Sequence, residues 1–177
     1  EGIFGQFAGE GHQRRRHAVR RPGADLQHDL HIPFNTSITG GEAQLSVRRQ
    51  VGKVETITVK IPAGIQDGKK IRLRGQGEAS STGGPQGDLL IKVHVANHPY
   101  FTRRGNDLEV SVPITLAEAA LGAKIDVPTP KGEITLTIPA GTSSGKRLRL
   151  KGMGAPTAKG GHGDLYAEMQ IVLPNSL

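Results

Sequence analysis

The sequence predicts an all-β protein of two tandem domains that resemble β-sandwiches, each with at most one short helix. A 21-residue segment that begins at Ile57 recurs at Ile134 with 12 identical positions. Apolar and polar residues alternate over many short segments, and glycine or proline separates these segments. A repeat of this length indicates two copies of one small domain, and 177 residues are enough for two domains of about 75 residues each.

The first 24 residues lack any strand or helix period. Glycine and phenylalanine alternate between Gly2 and Gly11, and a run with five arginines follows between His12 and Arg21. We therefore expect residues 1–24 to form a flexible linker. The repeat then places a first β-domain at residues 25–101 and a second at residues 102–177.

Period-two patterns predict five strands in each copy. In the first copy they fall at residues 26–34, 43–47, 57–61, 71–73 and 89–95. In the second copy they fall at residues 108–112, 125–127, 134–138, 148–150 and 165–173. Prolines are expected to end three of them, at Pro62, Pro113 and Pro139. Residues 115–121 predict a short helix that Gly122 ends, whereas residues 35–40 contain poorer helix formers.

The composition restricts the compartment and the partners. The chain has no cysteine, which excludes disulfides and zinc–thiolate sites. Without a signal peptide or an apolar run of transmembrane length, it is expected to be cytoplasmic and to have no membrane partner. The net charge is +7, of which the arginine run supplies five. Aromatic residues make up only 3%, which argues against a stacking platform for single-stranded nucleic acid.

Several motifs in order resemble one family. Both copies contain Ile-Pro-Ala-Gly, followed by Gly-Lys and a basic strand that ends in Gly-x-Gly. Residues 98–108 read HPYFTRRGNDL, and residues 116–123 read LAEAALGA. With the Gly/Phe alternation, these motifs resemble the C-terminal substrate-binding region of DnaJ-type co-chaperones over essentially the whole chain.

Three departures from that family refine the resemblance. These 177 residues contain no J-domain, and only the segment from Arg48 to Lys53 occupies the place of the cysteine-rich zinc module. The chain is therefore most similar to the zinc-free second type, which is related to bacterial curved-DNA-binding proteins. It ends at Leu177, where family members continue into a dimerisation helix, so we expect a monomer here and a homodimer only for the full-length protein.

The resemblance implies a groove on the first domain for unfolded client polypeptides, which a DnaK-type chaperone then receives. Strand addition would hold an extended apolar segment there. By their place in the motifs, five residues correspond to the groove lining: Leu30, Ile32, Leu45, Val47 and Ile91. The alternative is that they are core residues, as apolar residues with period two usually are.

Basic residues suggest two further interpretations. Lys69, Lys70, Arg72 and Arg74 form either a solvated face or contacts for the acidic C-terminal tail of the DnaK-type partner. Together with Arg14, Arg15 and Arg16 they could also contact phosphates, which leaves open a non-specific DNA-binding module that acts through the basic segment. A purely structural scaffold is the third alternative.

No enzyme or nucleotide site is expected. Gly75–Gly77 and Gly152–Gly154 fit no phosphate-binding motif and are predicted to be turns that require positive φ. Asp88 and Asp164 are expected to bind turn amides. The seven histidines lack metal-ligand spacing, so we expect neither a metal nor a cofactor.

Overall fold

The computed structural model describes residues 20–50 and 52–175. The first half contains β1 Leu26–Ile32, α1 Phe34–Thr39, β2 Gly41–Arg48, β3 Val54–Ile61, β4 Lys70–Leu73 and β5 Leu89–Val95. The second half contains β6 Phe101–Arg104, β7 Asp107–Ile114, α2 Leu116–Leu121, β8 Ala123–Thr129, β9 Gly132–Ile138, β10 Arg147–Leu150 and β11 Leu165–Ile171. The all-β prediction is confirmed.

Each half pairs a larger sheet with a two-stranded one. The first half has a sheet of order β1-β5-β4 and the pair β2-β3, and the second has β10-β11-β7-β6 and the pair β8-β9. Each larger sheet contains one parallel pair, β1 with β5 and β7 with β11, in which Leu26 lies opposite Leu89 and Leu108 opposite Leu165. The sequence repeat is therefore also a structural repeat, in which Leu26 corresponds to Leu108.

Apolar side chains form two buried clusters. The cluster of the first half fills the space between its two sheets, and its fully buried members include Val47, Val59 and Leu89. The cluster of the second half is built around Leu108, Leu165 and Met169. It also takes in the side chains of α1, so apolar packing continues from one half into the other.

Polar contacts reinforce the junction of the two halves. The Arg103 guanidinium donates from Nη1 to the Ile65 carbonyl and from Nη2 to the Gly64 carbonyl, both at 2.8 Å. Burial lowers the pKa of Arg103. A Cβ atom on Gly64 would lie 2.4 Å from the carbonyl oxygen of Pro156, so only glycine permits this approach of the two halves.

The two helices form for different reasons. In α2, the Thr115 side chain accepts a hydrogen bond from the Glu118 amide and Glu118 binds back to the Thr115 amide, which completes a capping box. Gly122 ends this helix at φ 78°, as predicted. In α1, burial of Phe34 and Ile38 stabilises a helix that the sequence only weakly favours.

Three strand predictions were wrong at their ends, and the simplest case is the last strand, predicted over residues 165–173, which ends at Ile171. Phe34 begins α1, because Pro33 already ends β1. Strand β7 continues through Pro113 to Ile114. Proline is tolerated there because β6 pairs with β7 only as far as Val110, so the ring faces the side of the strand where no partner strand lies among the described residues.

Candidate functional site

The structure places all five predicted groove residues in the core of the first half. Leu30 and Leu45 are 7% and 9% exposed, and Ile32 is 2% exposed. Val47 and Ile91 are completely buried, so in this conformation they support the strands from inside and offer no surface to a ligand. Their contribution to peptide binding stays a prediction, which rests mainly on Leu30 and Leu45.

The outer edge of β1 is free of any partner strand among the described residues. Within residues 20–50 and 52–175, strand β1 pairs only with β5 and lies at the end of its sheet. The Ile32 carbonyl accepts a hydrogen bond from Ala96 beyond β5. Alternate residues of a strand direct their backbone groups to opposite sides. The amides and carbonyls of Gln27, Asp29 and His31 therefore face the free edge.

The second half shows what can occupy such an edge. Strand β7 corresponds to β1, and its outer edge is covered by β6 in antiparallel pairing from Phe101 opposite Val110 to Arg104 opposite Asp107. Phe101 is buried there, whereas the next residue, Thr102, is exposed. A four-residue extended segment with alternating burial thus completes the second sheet, and no described part of the chain fills the corresponding place in the first sheet.

The sequence-based prediction missed strand β6. It places only the boundary between the two domains, after residue 101, in this part of the chain. A usable signal was present, because Gly105-Asn106 separates two alternating segments and Gly-Asn is a hairpin dipeptide. The structure has Arg104 opposite Asp107 on either side of that two-residue turn.

Polar side chains border the free edge. His94 and Asp29 form a hydrogen bond of 3.0 Å between Nε2 and Oδ1. This hydrogen bond is the main cause that lowers the pKa of Asp29. The His31 ring stacks on His94 with 4.9 Å between the ring centroids.

Of the four basic residues predicted on β4 and its flanks, one forms an ion pair within the described part of the chain and three do not. Arg72 binds Asp88 through Nε at 2.6 Å. Among the described residues, no carboxylate forms an ion pair with Lys69, Lys70 or Arg74. Arg14, Arg15 and Arg16 lie outside the residues that the structure describes.

The glycine turns have the structural role that the sequence indicates. Gly75 and Gly152 have φ values of 69° and 73°, and each donates its amide to an aspartate Oδ1 at 2.9 Å, Asp88 and Asp164 respectively. The second glycine of each turn instead permits close packing, because a Cβ on Gly77 would lie 2.5 Å from the Gly87 carbonyl carbon.

A hollow of about 530 Å³ at the junction of the halves is a weaker candidate. Two of its polar side chains already have structural partners: Asp67 accepts from the Val95 amide at 2.8 Å, and His98 Nδ1 accepts from the Tyr100 amide at 3.0 Å. Across residues 20–50 and 52–175, no cluster of three metal-ligating side chains occurs. No helix in that part of the chain is long and apolar enough to cross a membrane.

Comparisons with known proteins agree with the geometry. The family model of the DnaJ C terminal domain matches residues 26–174. The Curved DNA-binding protein of Escherichia coli strain SMS-3-5 is 45% identical over 181 residues, which cover 97% of this chain. The protein of the same name from Shigella boydii serotype 18 is 44% identical over the same length. This chain spans 58% of the length of both curated relatives. It belongs to the DnaJ C-terminal domain family.

Proposed function

We propose that this chain holds extended apolar segments of unfolded polypeptides and that, in the whole protein, a DnaK-type chaperone receives them. The observation that carries the proposal is the free outer edge of β1, whose counterpart on β7 is filled by β6. Membership of the DnaJ C-terminal domain family supports it. The first β-domain, predicted over residues 25–101, binds the client, and the second, predicted over residues 102–177, supports it, although Phe101 already pairs within the second sheet.

The client pairs with β1 as β6 pairs with β7. Main-chain hydrogen bonds to Gln27, Asp29 and His31 hold the segment independently of its sequence. A client residue opposite His28 takes the position of Phe101, which lies opposite Val110 in the second sheet. That position favours an aromatic or large aliphatic side chain, and the slightly exposed edges of Leu30 and Leu45 add apolar contact.

Binding of this kind is expected to be weak, because few side chains are buried and the client must be ordered. One or two side chains contribute about 1.5–3 kcal/mol each when fully buried. Ordering a flexible segment offsets about 2–5 kcal/mol of the interaction. We therefore expect dissociation constants of about 1 μM or weaker, which allow clients to be released.

Replacing His31 by proline tests the site. Proline removes one edge amide, and Pro113 already occupies the equivalent position of β7, so the fold tolerates it. One hydrogen bond contributes about 0.5–1.5 kcal/mol, so binding of a fluorescent apolar peptide should weaken about two- to tenfold in anisotropy titrations. His31→Ala retains the amide and serves as the control. Equal affinity of His31→Pro and His31→Ala would exclude pairing at this edge.

A second candidate function is non-specific binding of duplex DNA. The name of the relatives, Curved DNA-binding protein, supports it, as do the arginine run and the unpaired lysines. Both described helices have only six residues, which is too short for a recognition helix with several base contacts. Phosphate contacts would therefore carry the binding, and affinity for a 20-base-pair duplex should fall steeply with salt.

A further inference from the structure

We propose that the outer face of the first three-stranded sheet binds the phosphates of duplex DNA, with Lys70 and Lys92 at its centre. This inference rests on the second candidate function and assigns it a folded surface in addition to the arginine run. The outer face consists of the solvent-facing residues of three strands: Gln27, Asp29 and His31 of β1, Leu90, Lys92 and His94 of β5, and Lys70 and Arg72 of β4.

The repeat provides an internal comparison for this face. In the second sheet, Arg147 stands where the first has Lys70. Arg147 forms an ion pair with Glu109, lies 5.0 Å from the centroid of the Tyr166 ring and has Glu168 directly opposite. The cation of the second sheet is therefore neutralised and packed within its own face.

The first sheet carries different residues at the positions of Glu109, Tyr166 and Glu168. Alignment of the two sheets places Gln27 at the position of Glu109, Leu90 at that of Tyr166 and Lys92 at that of Glu168. The two positions that are acidic in the second sheet are therefore neutral and basic in the first sheet. At these two positions the first face lacks the carboxylates that neutralise the cation of the second face, whereas Arg72 keeps its partner Asp88 and Asp29 stands at the position of Ser111.

Lys70 lies directly opposite Lys92 across the β4–β5 pair. Two like charges in this position destabilise a sheet. Both side chains are exposed, and neither takes part in any ion pair found among residues 20–50 and 52–175. A local arrangement that costs stability is characteristic of a functional surface, and an external anion would relieve the repulsion.

The shape of the face admits a phosphate. A shallow hollow of about 480 Å³ lies between Gln27, Lys70 and Lys92. Asp29 also borders the hollow, and its carboxylate accepts the hydrogen bond from His94. The two ammonium groups and the Gln27 amide supply donors around one concave space.

The extent of the positive charge favours a long polyanion over a short acidic peptide. Leu26, Leu73 and Leu89 lie at one end of the sheet. Arg21 is fixed near this end, because its amide donates to Thr82 Oγ1 at 2.9 Å and its carbonyl accepts from Ser80 at 2.5 Å. Cations thus continue from Arg21 past Arg72 to Lys70 and Lys92, which lie level with the middle of the seven-residue strand β5, roughly 10 Å from its first residue.

The absence of aromatic platforms favours duplex over single-stranded DNA. No phenylalanine, tyrosine or tryptophan occurs on the outer face as defined above. Single-strand binding draws much of its affinity from bases stacked on such rings. A row of lysine and arginine side chains instead suits the backbone of a duplex, which carries one charge per about 1.7 Å of its axis.

The test replaces two residues of the outer face of the first sheet by the residues that the second sheet carries at those positions. The double variant Gln27→Glu/Lys92→Glu introduces the residues that the second sheet already carries at equivalent positions, so folding should survive, as thermal unfolding will verify. The control Lys124→Glu/Lys131→Gln removes the same net charge from exposed positions of the second half. A fluorescent 20-base-pair duplex and a fluorescent polyglutamate peptide are titrated with each protein at several salt concentrations.

We expect the face variant to lose at least tenfold in duplex affinity at low salt, with the control within about twofold of the original protein. The slope of log affinity against log salt should become shallower by about 0.9 for each phosphate contact removed. If the original protein binds no duplex, the DNA-binding function itself is wrong, and the surface with it. If duplex binding persists in the face variant, or falls equally in the control, the surface is wrong while the function stands. Loss of polyglutamate binding with unchanged duplex binding would reassign the face to acidic polypeptides.

Discussion

Asp88 and Asp164 bind the preceding turn in the same way in both halves. In each case one carboxylate oxygen accepts the amide of a glycine with positive φ, and the other binds an arginine of the neighbouring strand. The Gly75 amide is the largest cause that lowers the pKa of Asp88, followed by Arg72. The Gly152 amide has the same effect on Asp164.

These shifts predict acid sensitivity. A carboxylate with a lowered pKa stabilises the fold above the pKa of the unfolded chain, near 3.8, and loses this contribution as pH falls through its folded value. The variant Asp88→Asn/Asp164→Asn should therefore be less stable at pH 7 and lose less stability below about pH 4. Urea unfolding at pH 7 and pH 3 measures both effects. An identical pH dependence in both proteins would contradict this role.

The two helices occupy equivalent positions and have different environments. Helix α2 depends on its capping box, and its Leu116 is 60% exposed. Helix α1 has no side-chain cap, and its Phe34 is 6% exposed because the ring packs 6.0 Å from that of Phe101. Local hydrogen bonds thus stabilise one helix, and tertiary packing stabilises the other.

Removal of the cap should affect α2 measurably. Thr115→Ala leaves the Glu118 amide without its acceptor and should lower the free energy of unfolding by about 1 kcal/mol. Thr115→Ser retains the hydroxyl and should cost much less. Chemical denaturation of both variants provides the comparison, and equal losses would show that the methyl group of Thr115 matters more than its hydroxyl.

The junction couples the two halves through one close backbone contact. Gly64 and Gly141 are equivalent residues of the two Ile-Pro-Ala-Gly turns, with φ values of 81° and 74°. Only Gly64 faces the other half, at Pro156, whereas a Cβ on Gly141 would meet nothing within 4 Å. The repeat therefore contains one Ile-Pro-Ala-Gly turn that packs at the junction and one that has open space beside its glycine.

Alanine at these two positions separates backbone strain from junction packing. Gly141→Ala should cost about 1–2 kcal/mol, since a left-handed conformation is strained for any residue with a Cβ. Gly64→Ala carries the same strain plus the clash with Pro156, so it should cost more and increase amide hydrogen exchange in β6. Equal stability losses and unchanged exchange would show that the junction adapts to the extra methyl group.

The sequence by itself determined the repeat, ten of the eleven described strands, helix α2 and the role of the turn aspartates. These features depend on the alternation of apolar and polar residues, on helix capping and on glycine, all of which can be recognised from residues close together in the sequence. Only the tertiary structure decided the burial of Leu30, Ile32, Leu45, Val47 and Ile91, the free edge of β1 and the pairing of each cation. Period two shows which residues share a face of a strand. It does not show what covers that face or edge, because the covering element comes from a distant part of the chain.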